Sequence, residues 1–586
     1  MKLFLATVIF ILFRRWYLLH FKYLSDYGKQ YQLYLVNTRL LYILALSRNA
    51  TIKAMDADCA FHKFAAHKCG RKWHSTSLTQ YLYRLPYYLI TQINHSFLLL
   101  PYAVHISSYS VRICTSKCNL VNNDNFPKMS LHISSWYDNI MYEMEVVGLY
   151  RFALSNLIEW KNSANRKPLI LRGARQVGKT WLMKEFGEKQ FLSYVYVNFD
   201  NNQRMKELFS NDSNISRIIL GLELYAGHKI DSANTLLIFD EVQEAPKALA
   251  TLKYFYEEAP EYFVICAGSL LGVALHQGTS FPVGKVEFLD LYPMSYLEFL
   301  IACGKERFAS LISSNDFEMI TTFKHEYIDT LKQYYYVGGM PEVVLHFSQN
   351  KDFVEVRKIQ EQILVSYEQD FSKHAPNEAV PRIRMLWNSI PAQLARENKK
   401  FIYGVIKEGA RAKDYELALL WLIDCGLVHK VHRVTAPQLP LKAYEDTKAF
   451  KLFLVDVGLL ACMTRLRADI LLDGNDLFKE FKGALTEQFV LQQLKTIESI
   501  KPYYWTNDRN SAEIDFIVDD GRDIIPLEVK AEINLQAKSL KVFREKFSPR
   551  ITIRASMADY KNTDGLIDLP LYAINAISTE KFMNRR

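Results

Sequence analysis

Eight consecutive residues have the types and the spacing to hold a polyphosphate: Gly173, Ala174, Arg175, Gln176, Val177, Gly178, Lys179 and Thr180, the pattern GxxxxGK[ST] in full. The two glycines let backbone N–H groups close around phosphate oxygens. Lys179 is spaced to reach the β- and γ-phosphates, and the Thr180 hydroxyl is a Mg2+ ligand. Further on, "TLLIFDEVQEAP" is an apolar run ending in Asp240 and Glu241. Acids at the C-terminal end of a buried parallel strand face the ligand crevice of an open α/β sheet. Asp240 then completes the Mg2+ site, and Glu241 orients or deprotonates the attacking water. The chemistry these residues predict is ATP hydrolysis, with Lys179 and Glu241 as the catalytic pair.

A second charged constellation lies in "SAEIDFIVDDGRDIIPLEVK", Ser511–Lys530. Asp520-Gly521 is preferred hairpin-turn chemistry. A symmetric two- or four-residue loop centred there pairs Glu513 with Glu528 and Asp515 with Pro526. Side chains alternate along a strand, so Glu513, Asp515, Glu528 and Lys530 share one face. Ile514, Phe516, Val518, Ile525, Leu527 and Val529 share the other, which is the core face. With Glu487 from the preceding helix, "FKGALTEQFVLQQLK", these acids could hold a second divalent metal. A solvated charged face, or a surface that binds nucleic acid or protein without cleaving it, is the competing reading.

Elements must carry these residues. "KPLILR" is the strand before the loop, and the helix after it places Leu182 and Phe186 on one face, with Gly187 as its C-terminal stop. "YVYVNFD" (194–200) and "YFVICAGS" (262–269) add strands, the latter offering Ser269 as a sensor of the γ-phosphate. The result is an α/β fold whose parallel sheet is of the additional-strand P-loop type. Lys285 is a further phosphate contact or a plain surface lysine. Residues 301–345 read as helices ending at Gly338-Gly339, the makings of a helical lid. Over 383–435, two amphipathic helices, the second stopped by Gly426, and the alternating strand "LVHKVHRV" suggest a winged helix. Its basic face (Lys413, Lys430, His432, Arg433) is modest, and such folds serve protein contacts as well as DNA.

"RKPLILRGARQVGKTWLMKEFG", "LLIFDEVQEAPKALATLKYFYEEAPEYFVICAGSLLGVAL" and "SFPVGKVEFLDLYPMSYLEFL" resemble the prokaryotic AAA-family ATPases that carry a C-terminal domain of unknown function. The resemblance runs on through "YYYVGGMPEVV", "FKLFLVDVGLL" and "IPLEVK", covering roughly residues 144–575. It implies ATP binding and, for a ring-forming homo-oligomer, an arginine finger from a neighbouring subunit; Arg382 and Arg384 have the residue type. Asp515 with Glu528-x-Lys530 and the helix residue Glu487 is similar to the PD-(D/E)XK nuclease-like fold, a restriction-endonuclease-like α/β domain. There the acids bind metal and the lysine helps activate water.

Charge gives little support to a nucleic-acid role for the main body. Residues 1–140 hold 16 Lys/Arg, 5 Asp and no Glu, whereas the remainder holds 56 Lys/Arg against 58 Asp/Glu. DNA or RNA and protein therefore stand together as expected partners beside ATP. The N-terminal segment is crowded with Tyr, Leu and His and contains only Gly28 and Gly70 as glycines. Its first apolar run, Leu3–Phe13, is shorter than a bilayer span. Leu85–Val104 is interrupted by Gln92, Asn94, His95 and two prolines, so a membrane partner is not expected. Cys59, Cys69, Cys114 and Cys118 lack the paired spacing of zinc ligands. Of three readings of this segment (a membrane-associated leader, a small divergent domain, or translated upstream sequence outside the working protein), the last is preferred, because its periodicity is poor and the composition breaks sharply near Met141 and Met144. Eight sparse cysteines fit a reducing cytoplasm. The expected organisation is 1–140 as an atypical extension and 141–300 as the ATPase domain. Beyond it come 301–380 as lid and connector, 381–470 as the winged-helix-like region and 471–586 as the nuclease-like domain.

Overall fold

The computed structural model describes residues 149–268, 281–396, 399–472, 479–507, 511–532 and 538–578. All lie within one structural unit, Leu131–Arg586. Ser269 and the N-terminal segment, with its four cysteines, fall outside the described residues.

The apolar runs form strands as expected. β1 (Leu169–Arg172), β2 (Ser193–Asn198), β3 (Thr235–Asp240), β4 (Phe263–Ala267) and β5 (Glu287–Asp290) make a parallel sheet in the order β2-β3-β4-β1-β5. β4 sits between β1 and β3, which is the additional strand. Along β3, Leu236 and Ile238 join one hydrophobic cluster while Leu237 and Phe239 join another on the opposite face. Burial on both faces explains why the strand sequence is continuously apolar rather than alternating.

The helix after the loop runs Lys179–Gln190, so Gly187 does not stop it. Gly187 is small for a packing reason: a Cβ there would stand 3.0 Å from Cδ1 of Tyr194, whose ring lies on the helix. Downstream, helices Glu306–Ser314, Phe317–Thr322, Lys324–Val337, Pro341–Asn350 and Phe353–His374 follow one another.

A second sheet, of mixed parallel and antiparallel pairing, is larger. It comprises β6 (Val428–Val434), β7 (Glu445–Leu454), β8 (Tyr503–Thr506), β9 (Glu513–Asp519), β10 (Ile524–Val529), β11 (Thr552–Ser556), β12 (Lys561–Thr563) and β13 (Leu566–Pro570). Their order is β12-β13-β11-β10-β9-β8-β6-β7. Helices Val380–Leu394 and Ala412–Asp424 precede the β6–β7 hairpin, with Gly426 at φ 72° ending the second. That hairpin is not a free wing. β6 pairs in parallel with β8, Arg433 opposite Tyr504, and so extends the C-terminal sheet.

The β9–β10 register differs from expectation by two residues. Asp519 pairs with Ile524 and Phe516 with Leu527, leaving a four-residue loop, 520–523. The Asp520 carboxylate accepts N–H bonds from Arg522 (2.9 Å) and Asp523 (2.7 Å), which moves the turn one residue onward. Pro526 accordingly pairs with Ile517 rather than with Asp515. Because the slip is two, Phe516, Val518, Ile525, Leu527 and Val529 keep their predicted core face. An irregularity where β9 meets β8, between the Tyr503–Ile517 and Trp505–Ile514 pairs, instead places Ile514 with Ile517 in a separate cluster, against expectation.

Two of the quoted motifs meet in the core. The fully buried Asp456 carboxylate, from "FKLFLVDVGLL", accepts from Gly339 N (2.6 Å), Leu459 N (3.0 Å) and Gln492 Nε2 (2.9 Å). A Cβ at Gly338 would collide with Asp456 Oδ1, and one at Gly339 with the Met294 carbonyl. The paired glycines thus admit a carboxylate as well as ending a helix. Gln488 and Gln493, from helix Lys479–Lys495, bond backbone groups of Leu454 and Tyr296. One hydrophobic cluster accordingly runs from Leu157 to Ile577. Among the described residues, no helix is long and apolar enough to cross a membrane.

Candidate functional site

The phosphate-binding loop joins β1 to the helix Lys179–Gln190. Gly173 (φ 144°), Gln176 (φ 66°) and Gly178 (φ 93°) take left-handed backbone conformations, the kind of turn that aims successive N–H groups into one concavity. Gly173 is required for a second reason, since a Cβ there would collide with the Leu291 carbonyl. Lys179 is buried and donates to the carbonyls of Gly173 (2.9 Å) and Ala174 (2.8 Å). Burial pulls its ammonium down to about 8, against the attraction of Glu241 and Asp240.

The sheet order brings the acids alongside. Thr180 Oγ1 donates to Asp240 Oδ2 at 2.6 Å, and Tyr196 OH donates to the same oxygen at 3.0 Å. A hydroxyl and a carboxylate this close are the oxygen pair that a Mg2+ ion takes beside a nucleotide, so the residues fit that cofactor. Glu241 follows at φ 50° and ψ 44°, a left-handed conformation costly for a residue with a Cβ. Asp240 Oδ1 accepts its N–H, and Gln243 Nε2 donates to its carboxylate at 2.6 Å.

Several residues at the loop carry no local motif. Arg151, 4% exposed, donates to Val177 O (2.8 Å), Tyr292 O (2.6 Å) and Glu298 Oε1 (3.1 Å), pinning the loop from below. Arg175 forms an ion pair with Asp370, and Tyr367 OH donates to the Arg175 carbonyl at 2.8 Å, both from helix Phe353–His374. A Cβ on Gly426 would stand 3.0 Å from Ala174 N, so the turn leading into β6 touches the loop backbone. Lys285 instead pairs with Glu257 at 3.0 Å, as a surface lysine does. Arg382 and Arg384 are exposed on helix Val380–Leu394, Arg384 bonding Ser372 Oγ at 2.9 Å.

The second constellation also comes together, in company the sequence did not suggest. Glu487, Glu513 and Asp515 surround the fully buried Lys451 of β7, its Nζ lying 3.5, 2.5 and 3.8 Å from their oxygens. Lys399 forms a further ion pair with Glu487, and Lys530 pairs with Glu528 at 2.7 Å. Asp515 Oδ2 accepts Val529 N at 2.8 Å. Burial and then the neighbouring Glu487 push the Asp515 carboxyl up to about 7. Burial alone would lower Lys451, but the three carboxylates outweigh it and hold the amine above its ordinary value. These acids do not fit a second divalent metal, because an ammonium already lies between them. Among the described residues, no three His, Cys, Asp or Glu side chains converge as a ligand set.

Three domain families match successive parts of the chain from residue 165 onward. Residues 165–300 match the AAA domain family (AAA_14). Residues 328–470 match a Domain of unknown function (DUF8612), and 482–574 match another (DUF4143). No curated protein matches the chain. Among solved structures, the Walker-type ATPase of Pyrococcus abyssi is similar at 15% identity and TM-score 0.35, over 54% of this chain and 96% of that one. ORC1 of Aeropyrum pernix, solved in complex with DNA, is similar at 14% and 0.23, over 53% and 91%. AMPPCP-bound DnaA from Aquifex aeolicus is similar at 16% and 0.22, over 48% and 89%. The domain match and the loop geometry together give residues 165–300 the fold of an AAA-type P-loop ATPase, followed along the chain by two domains of unknown function.

Proposed function

We propose that this protein hydrolyses ATP and uses the cycle to move its C-terminal modules. The observation that carries the reading is the 2.6 Å contact of Thr180 with Asp240, directly beside Glu241 and a complete phosphate loop. In this account the N–H groups of Gly173–Thr180 hold the phosphates, and Lys179 leaves the two loop carbonyls to meet them. Thr180 and Asp240 hold Mg2+, which when bound offsets charge on the phosphate oxygens. Glu241 holds the attacking water in line and accepts its proton. Ser269 is assigned as a γ-phosphate sensor.

Coupling is supported by what rests on the loop. Any rearrangement of Arg175 or Ala174 is felt by Asp370 and Tyr367 in one helix and by Gly426 at the start of β6. β6 belongs to the C-terminal sheet, so the loop and that sheet share a short mechanical path. We assign residues 301–380 as the lid and connector, and 471–586 as a nuclease-like fold that serves as a binding module in the cytoplasm. DNA, RNA and protein are the partner classes to test.

The experiment is ATP turnover with Mg2+, measured with and without DNA and RNA, on wild type and Lys179→Ala. Turnover in wild type that Lys179→Ala removes supports the reading; equal turnover in both rejects it. Stimulation by DNA or RNA would identify the partner class, and its absence would favour a protein partner.

A further inference from the structure

Every acid that would make the C-terminal domain a metal-dependent nuclease is already partnered by a lysine. Lys451 is 0% exposed, and its amine faces Glu487, Glu513 and Asp515. The Tyr504 ring lies 5.1 Å away, completing a cage for a cation. Lys399 takes the other Glu487 oxygen and Lys530 takes Glu528. Asp515 commits its second oxygen to the backbone N–H of Val529.

We infer that the Lys451 ammonium is the resident cation of this cluster, standing where a divalent metal would have to bind. Four carboxylates face three ammoniums, so most of the negative charge that would draw a metal is spent. Adding a dication beside Lys451 would place like charges together in a buried site, at high cost.

Lys530 directly follows β10, but the other two lysines come from outside the β9–β10 hairpin and its helix. Lys451 lies on β7, and Lys399 precedes Lys400, which bridges to Lys451. Both belong to the 328–470 domain, whereas the acids belong to the 482–574 domain. The cluster is therefore a charged staple between two domains. Loss of the ammonium would empty a cage built of carboxylates.

The test uses the nucleotide-free full-length protein stripped with EDTA, with Mn2+ as the probe, followed by electron paramagnetic resonance and by thermal unfolding. Wild type and Glu487→Gln are expected to take up Mn2+ identically, and Mn2+ is not expected to shift wild-type unfolding. Lys451→Met is expected to bind Mn2+ at least tenfold more tightly than wild type and to regain unfolding temperature when Mn2+ is added. A wild-type Mn2+ site that Glu487→Gln removes would overturn the inference. So would Mn2+-dependent cleavage of DNA or RNA that Glu528→Gln abolishes, or equal Mn2+ affinity in wild type and Lys451→Met. If Lys451→Met does not fold, the wild-type and Glu487→Gln comparison decides alone. The ATPase reading is tested separately by Lys179→Ala, which leaves every residue of this cluster in place.

Discussion

Nucleotide affinity should fall at alkaline pH because of Lys179 alone. In the free protein its amine is buried against two carbonyls and titrates at about 8, down from 10.5. A lysine bound to phosphates stays protonated, so above pH 8 binding must first take up a proton. Each pH unit beyond 8 then costs about 1.4 kcal/mol, which makes ATP bind roughly tenfold more weakly near pH 9 than near pH 7. Stability should move the opposite way. Between about 8 and 10.5 the unfolded chain keeps this proton and the folded chain does not, so folding stops carrying a buried charge and gains up to about 3 kcal/mol. Calorimetry of ATP binding in two buffers of different ionisation heat measures both the affinity and the proton uptake. Uptake approaching one proton per ATP near pH 9 is expected, with Lys179→Met abolishing the slope. A flat affinity from pH 7 to 9, without proton uptake, would refute the reasoning.

Two further outcomes concern stability. Asp456→Ala strands three donors (Gly339 N, Leu459 N and Gln492 Nε2) in the core. Denaturant unfolding should show a loss of about 3 kcal/mol, reduced from the sum of three bonds because the buried carboxylate is itself costly. His429 packs on the Tyr292 ring at 5.8 Å, and burial, with Lys495 adding, lowers its imidazole to about 3. The fold keeps it neutral while the unfolded chain protonates below about 6.5, so stability falls with pH through that window, by about 2 kcal/mol at pH 5. His429→Gln should lose less stability than wild type between pH 7 and pH 5.

What was legible in the sequence was local. The loop spacing, the apolar runs and the Asp240-Glu241 strand end each lie within a dozen residues, and the strands and helices follow them. Alternation sorted the faces of β10 and of β9 from Phe516 onward, since face depends only on odd or even position, but it misplaced Ile514, because a bulge leaves no periodic signal. The register depended on which residues cap the turn, and Asp520 turned out to accept the N–H groups of Arg522 and Asp523. Gly187 was misread because a helix-ending glycine and one flattened under a ring look alike in sequence; Tyr194 distinguishes them. Arg151, Asp370, Lys399 and Lys451 gave no signal at all. Each meets its partner across a long stretch of chain, and a lone charged residue leaves no periodicity. The lysines matter most, because they turn an apparent metal site into a set of ion pairs.

The most direct measurement is phosphate release in a single turnover by Glu241→Gln with Mg2+-ATP. The side chain keeps its size and a hydrogen-bonding end but can no longer accept the proton from water. ATP binding should stay within about twofold of wild type, while release falls by about 100-fold or more, the usual weight of a positioned base. Release at the wild-type rate with ATP fully bound would contradict the account.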